Sequence, residues 1–133
     1  MMTLLGALAS PFVRKVRVLL METGQDDIAM QEVATTPVAT APEVAAANPV
    51  GKIPALIRDD GPTLYDSRVI CRFLDARARA GFYPEARLWD TLTLEATAEG
   101  IMSSGPCRWL IQRASSASSA RVTLAHCASS HGW

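Results

Sequence analysis

Asn48-Pro49-Val50-Gly51-Lys52-Ile53-Pro54-Ala55-Leu56 sets two prolines around a glycine turn and then runs into an apolar strand. Its informative unit is Ile53-Pro54. A proline cannot donate to a sheet ladder, so one at the mouth of a strand needs a reason. Two readings stand. The first is a trans strand-entry proline, which is the default because cis bonds occupy only about 5–6 % of X-Pro positions in folded proteins. The second is a cis bond, which turns the Ile53 N–H and C=O outward to pair with an extended peptide as if it were an edge strand. In that second reading the stretch is a peptide clamp.

Upstream, Thr3-Leu4-Leu5-Gly6-Ala7-Leu8 is an apolar run without helical period, which predicts a central strand covered on both faces. Ser10 offers an N-cap and Pro11 suits the first helical position, where a missing N–H costs nothing. The helix that follows sets an apolar stripe of Phe12, Val16, Leu19 and Leu20 against a basic face of Arg14, Lys15 and Arg17, and Gly24 stops it. A second strand is expected over residues 28–33. Thr40-Ala41-Pro42-Glu43 has capping-box spacing ahead of a short helix at 44–47, which ends before Pro49.

Downstream, Pro54-Ala55-Leu56-Ile57-Arg58 and Thr63-Leu64-Tyr65 flank the turn formers Asp59-Asp60-Gly61-Pro62 and predict an antiparallel hairpin. Asp66-Ser67 then offers a cap for a helix over residues 68–75, with Cys71 inside its packing. A further helix is expected from Pro84 to about Met102. The order strand-helix-strand-helix-strand-strand-helix implies an α/β domain with a mixed sheet and helices on both faces.

With 133 residues, balanced charge (13 basic, 13 acidic) and 49% apolar residues, the chain has room for one domain and an appendage. Nothing in that balance points to nucleic acid or a membrane surface. Three cysteines, Cys71, Cys107 and Cys127, form no C-x-x-C and no zinc spacing, which fits a reducing compartment and a cytoplasmic protein. Ala7-Leu8-Ala9 imitates a signal cleavage site but lacks a basic lead-in, so residues 3–9 are read as a buried strand. No stretch reaches transmembrane length.

Residues 103–133 differ in kind. All 13 acidic residues and both lysines precede them, while both histidines, Cys107, Cys127 and two of the three tryptophans fall within them. Two readings stand: translation out of frame, or a disordered serine-rich extension. A metal site from His126, His131 and Cys127 is not expected.

Ser10-Pro11-Phe12-Val13-Arg14-Lys15-Val16-Arg17, the 48–54 stretch, and Leu64-Tyr65-Asp66-Ser67 followed by Ile70-Cys71 and Phe73-Leu74 resemble the N-terminal domain of bacterial cytosolic glutathione S-transferases. The resemblance covers roughly residues 1–102. It implies a thioredoxin-like glutathione-binding domain at 1–80, the first helix of an incomplete all-helical domain at 84–102, and an unpatterned tail at 103–133. It further implies a cis Ile53-Pro54 bond, glutathione as co-substrate, no metal, a small electrophilic partner, a possible homodimer, and a role in detoxification. Because the helical pattern is lost after Met102, most of the electrophile pocket should be missing and turnover impaired. The alternative is a non-catalytic glutathione- or protein-binding module of the same fold.

By the same resemblance, Ser10 is catalytic, Ser67 holds the γ-glutamyl carboxylate, Asp66 faces its ammonium, and Lys52 neutralises the glycyl carboxylate. Ile53 and Pro54 form the clamp, and Phe12 is core or a wall near the thiol. The physics of Ser10 agrees. Lowering a thiol from about 8.5 to roughly 6.5 requires about 2.7 kcal/mol of preference for the thiolate. A helix N-terminus supplies up to about 2 kcal/mol and a hydrogen bond to a charged group about 1.5–3 kcal/mol, so the two together suffice. Ser10 as a cap alone remains the competing explanation. Glutaredoxin-like and omega-type relatives carry cysteine at this position, so chemistry through a protein mixed disulfide is not expected.

Overall fold

The computed structural model describes residues 1–36 and 39–104. Three strands, β1 (Thr3–Gly6), β2 (Ala29–Glu32) and β3 (Ala55–Ile57), form one sheet in the order β2-β1-β3. β1 runs parallel to β2 and antiparallel to β3. The sheet is mixed, and the fold is the thioredoxin-like α/β arrangement expected.

Side chains on a strand alternate between faces, and this one property divides the core. Leu4 and Leu56 join Val16, Ile28, Ile70, Cys71 and Leu74 on one side of the sheet. Leu5 and Ala55 join Val33, Ala41 and Val44 on the other. Helices α1 (Pro11–Glu22) and α3 (Ser67–Ala78) cover the first side, and the six-residue α2 (Pro42–Ala47) covers the second. A fully buried Leu or Ile contributes about 1.5–3 kcal/mol over an exposed one, so Leu4, Leu56, Ile70 and Leu74 are the main anchors of the larger side.

Several local expectations are corrected. The buried positions of α1 are Val13 and Val16, whereas Phe12 is only half-buried and belongs to neither core group. Val13 faces inward because α1 crosses close over the end of β1: a Cβ on Gly6 would lie 2.7 Å from Val13 Cγ1. Lys15 leaves the expected basic face and turns toward the chain's last described helix, α4 (Leu88–Ser103). Thr40 does not cap α2. Ala41 occupies the N-cap because Pro42 fixes the first helical φ one residue later than the capping-box spacing implied.

The second hairpin arm is reduced to one residue. Leu56 and Leu64 exchange N–H···O bonds of 2.8 and 2.9 Å in an isolated bridge. Pro62 has no N–H to offer, its carbonyl accepts instead from Arg58 Nε at 3.0 Å, and Asp66 already begins the next helix, so no ladder grows on either side. The expected helix from Pro84 is present, opening as a 3-10 turn (Glu85–Arg87) that leads into α4. The contrasting composition of residues 103–133 falls, from residue 105 onward, outside the described residues, as do His126, His131 and Cys127.

Candidate functional site

Topology gathers the singled-out residues at one end of the sheet. β1 delivers the chain to Ser10 at its C-terminal end. The antiparallel pairing Leu5↔Ala55 sets Ile53 and Pro54, just before β3, beside that same end. Leu64 runs antiparallel to β3 and therefore parallel to β1, so Asp66 and the start of α3 arrive there too. Two helix N-termini and one extended backbone segment thus face a common region.

Ser10 is the N-cap of α1, with φ −78° and ψ 123°. Its Oγ accepts from Val13 N–H at 3.4 Å, which leaves the hydroxyl proton free to donate. The backbone N–H groups of the first turn are the orphan donors of a helix start and favour an anion. Phe12 follows, half-buried, one turn position beyond Pro11.

The 48–54 stretch is organised by Asn48, which sequence reading did not single out. Asn48 is buried, its Nδ2 donates to Lys52 C=O at 2.7 Å, and its Oδ1 accepts from Val50 N–H at 2.9 Å. Gly51 completes the turn at φ +68°, a conformation that favours glycine, with its N–H donating to Asn48 C=O at 2.8 Å. The usable signal was an asparagine at a helix C-cap followed by Pro-x-Gly. The Ile53-Pro54 bond is cis. Among the described residues no hydrogen bond engages the Ile53 N–H or C=O, while its side chain packs beside Ala47 on the α2 side. Lys52 is exposed, and Pro54 is buried.

Asp66 and Ser67 open α3 together. Asp66 is itself the N-cap of α3, accepting from Arg68 N–H at 2.9 Å, so capping does explain this carboxylate. A second cis bond joins Tyr65 to Asp66. Arg68 also folds back onto Asp66, at 3.1 Å from Nε and 3.3 Å from the terminal nitrogen. Partial burial works against the Asp66 charge, but the hydrogen bonds from the Arg68 side chain and backbone outweigh it and lower its pKa below the usual carboxylate value. Ser67 is 2% exposed, and its hydroxyl donates to Glu99 Oε1 on α4 at 2.8 Å.

Glu99 and Glu95 were also missed. Lys15 Nζ donates to Glu99 Oε1 at 2.6 Å and to Glu95 Oε1 at 2.8 Å. Arg68 Nε lies 3.0 Å from Glu99 Oε2, and Tyr83 O–H donates to Glu95 Oε1 at 2.8 Å. Burial opposes the Lys15 charge, yet the two carboxylates hold its pKa above the ordinary lysine value. Tyr83 is pushed up by burial and by its bond to Glu95. Glutamates four apart share a helix face, but with mostly apolar neighbours on α4 nothing local said which face turns inward.

Cys71 is buried as expected, and burial pushes its thiol up to about 12, which makes it inert as a nucleophile. Among the described residues no group of three His, Cys, Asp or Glu is placed to hold a metal ion. Two surface clefts lie elsewhere. One of about 360 Å³ opens between α2 and the sheet beside Gln31 and Glu43, and one of about 290 Å³ lies on the outer side of α1 between Arg14, Arg17 and Met21. Neither includes Ser10, Ile53 or Ser67. A site that takes an extended ligand along backbone and helix ends need not be concave by itself, so the convergence of elements is the better guide.

The family model described as "Glutathione S-transferase, N-terminal domain" matches residues 4–81. The chain belongs to the glutathione S-transferase family. A relative from Escherichia coli K12, named "Uncharacterized GST-like protein YibF", is 35% identical over 107 residues, covering 78% of this chain and 52% of that protein. A glutathione transferase family member from Pseudomonas fluorescens Pf-5 has been solved with bound glutathione. It is 47% identical with a TM-score of 0.72, covering 77% of this chain and 52% of that one. A structure of a glutathione transferase family member from the same bacterium with bound S-(propanoic acid)-glutathione is 46% identical with a TM-score of 0.66, covering 77% of this chain and 50% of that one. The chain therefore spans about half the length of these glutathione S-transferase relatives. No described helix is long and apolar enough to cross a membrane.

Proposed function

We propose that this chain binds glutathione across the end of its sheet and activates the thiol for attack on a small electrophile. Ser10 donates its free hydroxyl proton to the thiolate, and the first-turn N–H groups of α1 add their field. Ile53 pairs through its backbone with the cysteinyl residue, in the clamp completed by Pro54. Lys52 neutralises the glycyl carboxylate. Ser67, through its hydroxyl and backbone N–H, takes the γ-glutamyl carboxylate, with Asp66 opposite the ammonium, and Phe12 stands as a wall near the sulfur. The thiol proton passes to solvent, the sulfur lone pair forms the new S–C bond, and the electrophile releases its leaving group. The observation that carries this reading is the joint arrival of the Ser10 and Asp66 helix starts and the unpaired Ile53 backbone at one sheet end. The solved relative with bound glutathione supports it.

Immobilised glutathione should retain the protein, and Ile53→Pro, which deletes the pairing N–H, should abolish retention. Ser10→Ala should keep retention and lower conjugation of a generic aryl halide by roughly tenfold or more, the scale of one hydrogen bond to a charged group. Absence of retention sinks the reading. Turnover is expected to be low, because the apolar helical pattern stops after Met102; a rate near that of a full-length relative overturns that expectation.

A second reading, a non-catalytic glutathione- or protein-binding module, is favoured by the exposed Val69 of α3 and Trp89 of α4. Conjugation of the aryl halide above the uncatalysed rate counts against it.

A further inference from the structure

We propose that the cleft along the outer side of α1 seats the electrophile, and that Arg14 and Arg17 select electrophiles carrying a carboxylate. The proposal rests on the glutathione reading above and deepens it by naming a substrate class. The cleft, of about 290 Å³, is lined by Leu8, Arg14, Arg17, Val18 and Met21. Small-molecule sites usually span about 300–1,000 Å³, so this one suits a ligand of modest size.

Two features join the cleft to the thiol end of the site. Ser10 N–H donates to Ala7 C=O at 3.0 Å, closing a tight turn with Leu8 and Ala9 at its tip, so Leu8 stands two residues from the serine. Arg14 N–H donates to Ser10 C=O at 2.9 Å, which places Arg14 one helical turn behind Ser10 on the same face of α1. Arg17 and Met21 continue that stripe at helical spacing. Side chains leave a helix tilted toward its N-terminus. The Cα–Cβ bond of Arg14 therefore points back toward the turn that carries Ser10.

The lining defines the guest. Leu8, Val18 and Met21 are exposed apolar side chains. Among the described residues neither Arg14 nor Arg17 has an acidic partner within ion-pair distance. Glu32, which its pairing with Gly6 sets on the α1 side of the sheet, reaches neither of them. A guanidinium grips a carboxylate through two parallel N–H···O bonds. The fit is to an organic acid whose apolar body covers Leu8, Val18 and Met21 while its carboxylate pairs with Arg14 or Arg17. With a chloronitrobenzoate, the glutathione sulfur bonds to the ring carbon that bears chlorine, and the C–Cl electron pair leaves as chloride. The thiol proton passes to solvent, and the carboxylate is unchanged.

Calorimetric titration of the full chain with S-(4-carboxybenzyl)glutathione and S-benzylglutathione tests this without requiring turnover. The carboxylate should tighten binding about two- to fivefold, the scale of an exposed ion pair, and the gain should shrink as salt rises. Arg14→Gln combined with Arg17→Gln should erase the gain, and reading the ratio within one protein cancels any general loss of affinity. Equal or weaker binding of the carboxylate conjugate by the parent chain, or a ratio unchanged in the double variant, overturns the proposal; retained glutathione binding then leaves the earlier reading intact. Failure of glutathione and of both conjugates to bind overturns both. Should the double variant not fold, the salt dependence of the ratio in the parent chain decides.

Discussion

α3 and α4 have 12 and 16 residues, and each lies against the same sheet-and-helix unit, but they attach in opposite ways. α3 buries Ile70, Cys71 and Leu74 among Leu4, Val16 and Leu56, and turns Arg72 and Arg79 to solvent. α4 turns Glu99 inward to meet Lys15, Ser67 and Arg68, and leaves Trp89 78%, Leu94 72% and Ile101 63% exposed. Apolar burial is strong and indifferent to orientation. Hydrogen-bonded charges are specific in geometry but repay much of their gain as desolvation. The first kind of contact builds the scaffold, and the second can be made and broken within it.

The comparison breaks most easily at Leu74. Leu74→Ala should cost about 2–5 kcal/mol as a core cavity, read as a lowered urea midpoint for the whole cooperative unit. If only α4 signals change, the division between scaffold and appendage is wrong. Lys15→Met should have a smaller and more local effect. It leaves Glu95 and Glu99 without their ammonium, at about 1–3 kcal/mol, and should appear as faster hydrogen exchange confined to α4. The pH dependence carries the sign. The folded pKa of Lys15 is raised, so its contribution is complete below the unfolded value of 10.5 and is lost as pH rises through the folded one. Docking of α4 should therefore hold through neutral pH and fail only in strong alkali; weakening between pH 7 and 9 contradicts the role given to Lys15.

The smallest effect belongs to Asp66. Asp66→Ala removes the α3 cap at about 0.5–1 kcal/mol, the lower part of the usual range because the side chain is half exposed. Its folded pKa is lowered, so the contribution is present above the unfolded value of 3.8 and disappears as pH falls through the folded one. A stability difference between the variant and the parent chain that persists at pH 2 would show that the cap charge is not what Asp66 supplies.

Legibility followed the range of the interactions involved. Ser10 as cap, Pro11 at the first helical position, the turn through Gly51 and the burial of Cys71 were readable because periodicity, φ restriction and capping act within a few residues. The length of the last strand was misjudged for a local reason that was available, since Pro62 and Asp66 leave room for one bridge. Lys15 read as solvent-facing because its charge was weighed against its own helix, while its partners Glu95 and Glu99 lie 80 and 84 residues away.

The chain alone was thus enough to specify most of the order of elements, the glycine turn at Gly51 and the two helix starts at Ser10 and Asp66, while the cis Ile53-Pro54 bond was expected only from the family resemblance. The chain alone did not say which acceptor the Ser67 proton has, nor which face of α4 turns inward. Those follow from where two distant helices come to rest. A hydroxyl's single proton and an ammonium's choice of carboxylate are settled by distances of 2.6–2.8 Å that no local pattern encodes.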